Sequence, residues 1–216
     1  MCMQNMAFRI VFSFFIIVIF GAGALKAEEI GECPTTPEIW TMGILPDPKQ
    51  SNDLTKSYDS FGIAEGKKII IKGRLQDANC VPIAGATVSI WQMNDKGVYQ
   101  FEEDNNDKSN DEYFRSSGKY ITDNKGNYEF ITIYPGTNDD TKPYIILKIM
   151  HENFLPLQTM IFFPEFDNQA SIKGFNKEIQ KNQIHLIVAE NIGKQRNKVV
   201  YYFPVSLGQT SSYKEY

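Results

Sequence analysis

From Lys67 to Leu207 the chain is a succession of short β-rich runs separated by turn signals, and no window carries a capped amphipathic helix. The runs are "KKIIIKGRL" (67–75), "ATVSIWQM" (86–93), "NYEFITI" (127–133), "YIILKIM" (144–150), "LQTMIFF" (157–163), "QIHLIVA" (183–189) and "VVYYFPVSL" (199–207). Their Ile, Val, Tyr and Phe side chains suit a pleated, half-buried surface, and the Gly, Pro, Asn and Asp between them punctuate it. Short strands at this spacing predict an all-β fold, an antiparallel β-sandwich. In the second run Val88, Ile90 and Gln92 share one face, and Ser89 and Trp91 the other. Pro204 cannot donate to a ladder, so the last run predicts an edge strand or a bulge. "FNKEIQKN" (175–182) could supply at most one or two helical turns.

The N-terminus reads as an address. Arg9 precedes an apolar run from Ile10 to Phe20, followed by "GAGALKA" and the acidic Glu28. This is the pattern of a secretory leader, cleaved after Ala27 or Ala24. The apolar run is too short to span a bilayer, and Cys33 lacks the small, apolar context of a lipoprotein site. The expected organisation is a leader over 1–27, an N-terminal arm over 28–66, a sandwich over 67–209 and a tail over 210–216. The expected location is periplasmic or secreted, with no stable membrane anchor. The chain holds 22 basic and 26 acidic residues, and the leader removes only the basic Arg9 and Lys26. That acidic balance, without any Lys/Arg cluster, argues against nucleic acid or anionic lipid as partner.

Two cysteines, Cys33 and Cys80, would enter an oxidising compartment, where an even pair predicts a disulfide. It would close a loop of about 45 residues, worth ~3–4 kcal/mol. Two polar stretches, 46–60 and 102–114, are candidates for looser structure. The second lacks the glycine of a calcium loop and reads as a solvated excursion.

Local catalytic chemistry is sparse. The histidines are His151, expected in a turn after its strand, and His185, expected in a strand as a packed or surface residue. No metal, nucleophile-elbow or phosphate-loop motif is present. An internal echo pairs "DKGVYQF" (95–101) with "NKGNYEF" (124–130). It predicts two hairpins built alike, with Tyr99 and Tyr128 emerging from equivalent glycine turns.

Read together, "CPTTPEIWTMG" (33–43), "GRLQDANCVPIAGATVSIWQMNDKGVYQF" (73–101), "YITDNKGNYEFITIYPG" (120–136) and "VVYYFPVSLGQ" (199–209) resemble the intradiol ring-cleavage dioxygenases. The resemblance implies their sandwich, and a ferric ion held by two tyrosines and two histidines that cleaves catechol-type rings with dioxygen. Hard phenolate oxygens suit Fe(III), and an open position admits substrate. Tyr99 matches the first tyrosine. Asn138 stands where the second belongs, and Tyr144 and Ile146 stand at the histidine positions. A register shifted by one gives Ile145 and Leu147 instead. Met160 replaces a glutamine of the family, and Lys142 echoes a basic residue before the histidine run.

The ligand set is therefore expected to be lost, with no cofactor, or Fe(III) if the family site survives. The leading expectation is a degenerate, non-catalytic relative that binds an unknown protein or a small aromatic ligand. One alternative is an active Fe(III) enzyme with an altered ligand set, using Tyr99 with Tyr144 and His151. A second is a transthyretin-like structural appendage.

Overall fold

A computed structural model describes residues 32–40, 43, 45–57, 61–100, 110–137, 142–166, 172, 177 and 179–208. The expected leader, the position of Asn138 and the expected tail lie outside the described residues. Two sheets face each other. One joins β4 (Asn127–Ile133), β1 (Lys68–Asp77), β8 (Lys198–Tyr202) and β7 (Glu190–Gln195) in that order, with β9 (Val205–Leu207) also paired to β1. The other runs β3 (Ser117–Ile121), β2 (Thr87–Trp91), β5 (Tyr144–His151) and β6 (Phe154–Phe162).

The alternation in each strand decides which residues meet between the sheets. Ile69, Ile71, Leu75, Phe130 and Tyr201 of the first sheet pack against Val88, Ile90, Ile145, Leu147, Ile149 and Ile161 of the second, all essentially inaccessible to water. Gly73 and Tyr128 are cross-strand partners in this core. A Cβ on Gly73 would lie 2.3 Å from the Tyr128 ring, so only glycine leaves room for the phenol. Tyr128 donates its hydroxyl proton to the Phe203 carbonyl at the bottom of that slot.

The sandwich differs from the sequence expectation in several places. The first sheet is mixed: β8 and β9 both run parallel to β1. Pro204 divides the last run into these two strands, because it cannot donate to the ladder and Phe203 N–H takes the neighbouring bond to Lys72 O at 2.7 Å. The run 183–189 is not a strand. A 3-10 helix, Lys181–Ile187, occupies most of it and leaves His185 exposed. Threefold periodicity stacks Ile184 and Ile187 on one ridge, toward the outer face of the second sheet, which decides the local choice. The strand falls instead on Glu190–Gln195, whose residues are all exposed and carry no apolar alternation. It is held to β8 by a tight turn in which Arg196 and Asn197 take φ of 48° and 62°. β3 lies in a stretch not marked as a strand, between Ser117 and Ile121.

The N-terminal segment laces the sheets from outside. Cys33 and Cys80 form a disulfide, with Cα atoms 5.3 Å apart across a separation of 47 residues. Ile39 N–H bonds Gln158 O at 2.8 Å along β6, and Leu54 N–H bonds Ile131 O at 2.8 Å along β4. The described part of the polar stretch 46–60 is therefore docked, and Leu54 is fully buried. No helix among the described residues is long and apolar enough to cross a membrane.

Candidate functional site

The outer face of the second sheet gathers Tyr99, Tyr144, Ile146 and Met160, four of the residues that the sequence singled out. Tyr144 and Ile146 leave β5 on this face, because positions two apart share a side and their neighbours Ile145 and Leu147 enter the core. Ile146 is opposite Trp91 of β2 and Met160 of β6, its two cross-strand neighbours. Tyr144 is opposite Phe162, with ring centroids 6.2 Å apart. Above them lie Ile39 of the N-terminal segment, Ile172, Ile179 and Ile187. Trp91 donates Nε1–H to Pro46 O at 2.9 Å and pins that segment down.

Tyr99 reaches this face from a turn built on Asn94. The buried Asn94 carboxamide oxygen accepts from Lys96 N–H at 2.9 Å and Val98 N–H at 3.0 Å. Gly97 adopts φ of 78°, which L side chains rarely take. The echo sequence repeats the device: Asp123 Oδ1 accepts from Lys125 and Asn127 N–H at 2.8 Å each, and Gly126 has φ of 74°. The two turns are alike and their tyrosines diverge. Tyr128 enters the central core, while Tyr99 packs against the outer cluster beside Tyr144.

Burial pushes the Tyr99 phenol well above its ordinary range, and the adjacent Tyr144 phenol adds to the shift. Tyr99 therefore stands as a neutral hydroxyl at physiological pH. The sequence offered Tyr99, with Tyr144 and His151, as members of a rebuilt ligand set; it could not show how apolar the surroundings of the two tyrosines are.

His151 does not join them. It ends β5 beyond a bulge, its ring 5.5 Å from Phe154 and its Nδ1 accepting from Asn153 N–H at 3.2 Å. His151 was expected in a turn and instead closes the strand, which keeps it at the end of β5 opposite to Tyr144. Among the described residues no group of three or more His, Cys, Asp or Glu could hold a metal.

The donors among the described residues do not fit a ferric centre. Ile146 is 3% exposed at a position where the resemblance calls for a nitrogen donor, and its hydrocarbon cannot bind iron in any protonation state. Ile145 and Leu147, the alternatives in the shifted register, lie in the central core on the opposite face. Met160 is fully buried against the same cluster. Among the described residues, apolar side chains cover the outer face around Ile146.

Comparison with known proteins gives findings of three kinds. The model of a family described as "Dioxygenase" matches residues 44–160. A chain named as a dioxygenase from Rickettsia conorii is 30% identical over 150 residues, covering 66% of this chain and 72% of that one. The protocatechuate 3,4-dioxygenase beta chain of Burkholderia cepacia is 36% identical over a shorter span, 39% of this chain and 36% of its own. Among solved structures, the dioxygenase domain of a dioxygenase and carbohydrate-binding fusion from Streptomyces sp. SirexAA-E superposes with a TM-score of 0.63 at 18% identity, covering 82% of this chain and 99% of that one. The 3-chlorocatechol 1,2-dioxygenase of Rhodococcus opacus gives 0.60 at 17% identity, covering 82% and 73%. At such identities the likeness concerns the fold.

Proposed function

Because the chain belongs to the intradiol dioxygenase family, we propose that it is an exported, non-catalytic member, a module that binds a protein or a small aromatic ligand rather than cleaving a ring. The observation that carries this reading is Ile146. It stands where the resemblance calls for a histidine and is packed between Trp91 and Met160 under Ile39 and Ile187. A family fold is inherited whole, whereas a family reaction depends on the few side chains at its site.

The second reading, an Fe(III) enzyme with a rebuilt ligand set, draws on the meeting of Tyr99 and Tyr144. Two phenols are hard donors of the right kind for ferric iron. Both readings are tested by expressing the full-length chain through an oxidising route in iron-replete medium, then measuring bound iron and the visible spectrum. A folded, colourless protein without iron is the expected result. Iron near one per chain, with a tyrosinate charge-transfer band lost in Tyr99→Phe, would overturn it.

A further inference from the structure

At the end of the sandwich where β2, β4 and β6 finish and β1 begins, the turns enclose an open cleft of about 380 Å3. It lies toward the small end of the ligand-site range of roughly 300–1,000 Å3. Lys67, Asp95, Tyr134, Gly136, Glu165 and Phe166 line it. The backbone of the Asn94 turn is fixed there: Gly136 N–H bonds Asn94 O at 2.8 Å, and a Cβ on Gly136 would meet Asp95 O at 2.3 Å.

The polar groups in this cleft are unequally satisfied. Glu165 is occupied, accepting from Tyr201 at 2.7 Å and Tyr134 at 3.4 Å. Asp95 Oδ1 is buried and accepts no hydrogen bond among the described residues. A buried carboxylate oxygen without a donor is costly, and a bound hydroxyl would relieve it. At the rim, the Lys67 ammonium lies 5.6 Å over the Tyr134 ring and makes no hydrogen bond or ion pair among the described residues. It is a donor in want of an acceptor.

The charges around the cleft select against ions. Lys67 and two carboxylates, Asp95 and Glu165, line the cleft, and a second ammonium, Lys142, lies beside it over the Phe166 ring. An anionic ligand would face both carboxylates, and a cationic one would meet aromatic faces already taken, since Lys142 lies 5.4 Å over Phe166. A ligand that donates to Asp95, accepts from Lys67 and carries no charge satisfies all of these groups. We propose that this cleft binds an uncharged polyhydroxylated ring, a sugar or comparable polyol, with one hydroxyl on Asp95 Oδ1 and another on the Lys67 ammonium. The site goes beyond the reading of the outer face and uses none of the residues that decide it, so its test is independent of iron.

The test titrates the isotopically labelled full-length chain with methyl β-D-glucopyranoside, following backbone amides by NMR, with D-glucuronate and D-glucosamine in parallel. Saturable shifts confined to Lys67, the 95–97 turn, Gly136 and Phe166, strongest for the neutral glucoside, are expected. Asp95→Asn should weaken that binding roughly tenfold, as loss of a charge-assisted bond implies. Lys67→Gln, at an exposed position that cannot unfold the core, should weaken it as well. Tighter binding of either charged sugar, or no saturable shift with any of the three, would overturn the proposal.

Discussion

Truncating Ile146 tests whether the outer face is a packed core or a site in waiting. Ile146→Ala removes three carbons from a side chain 3% exposed between Trp91 and Met160. At about 0.8 kcal/mol per buried methylene the transfer loss is about 2.4 kcal/mol. Incomplete collapse around the void adds to this, because the facing β5 and β6 backbones are held by their ladder, giving about 3–4 kcal/mol in total. Ile146→Val, which loses one methylene, should cost about 1 kcal/mol. Met150→Ala lies on the same strand at 52% exposure and should cost about 0.5 kcal/mol or less. Equilibrium urea unfolding with the disulfide intact reads all three. With a slope of about 2 kcal/mol per molar, Ile146→Ala should lower the midpoint by ~1.5–2 M at unchanged slope. An Ile146→Ala loss below about 1 kcal/mol would refute the reasoning, since it would mean that the face yields readily and could open for a metal or ligand.

Two further outcomes follow from the same packing. Burial holds the Tyr128 phenol far above its ordinary range, so above pH ~10 the unfolded chain sheds a proton that the folded one keeps. Stability that is complete below that pH is therefore lost as pH rises, by up to ~1.4 kcal/mol per pH unit for this group. Urea midpoints measured across the alkaline range should fall, and Tyr128→Phe should flatten the fall; an alkaline slope unchanged in the variant would refute the assignment. Separately, Cys33→Ser paired with Cys80→Ser should lower stability by ~3–4 kcal/mol, since the bridge closes a loop of 47 residues. Thermal unfolding with and without reductant checks this, the double variant being insensitive to reductant.

Much of the architecture was legible because period-two burial is written in the strands themselves. Val88 and Ile90 against Trp91, and Ile145 and Leu147 against Ile146, sort to the faces that their alternation demands. The glycine echo was legible for the same local reason: a left-handed turn with an Asx acceptor fixes the backbone within five residues. The misread elements were those where the deciding partner is remote. The stretch 183–189 has strand composition, yet a ridge of Ile184 and Ile187 packed on the outer face favours a 3-10 helix. β7 has no apolar alternation to announce it, and exists through its turn and its ladder to β8. The cleft at Asp95 had no signal at all, because its lining comes from four turns far apart in the chain.

The sequence by itself determined the sandwich, the paired cysteines and the absence of nitrogen donors at Tyr144 and Ile146, because each is a property of residue type, count or strand pattern. Only the tertiary structure decided that Tyr99 and Tyr144 meet beneath apolar cover, that His151 stands apart at the far end of β5, and that Asp95 Oδ1 lines a cleft without accepting a hydrogen bond from any described residue. Those outcomes depend on which strands become neighbours and what is folded over them. That choice is made by the summed burial of both sheets and the N-terminal segment, and no local window of the chain contains it.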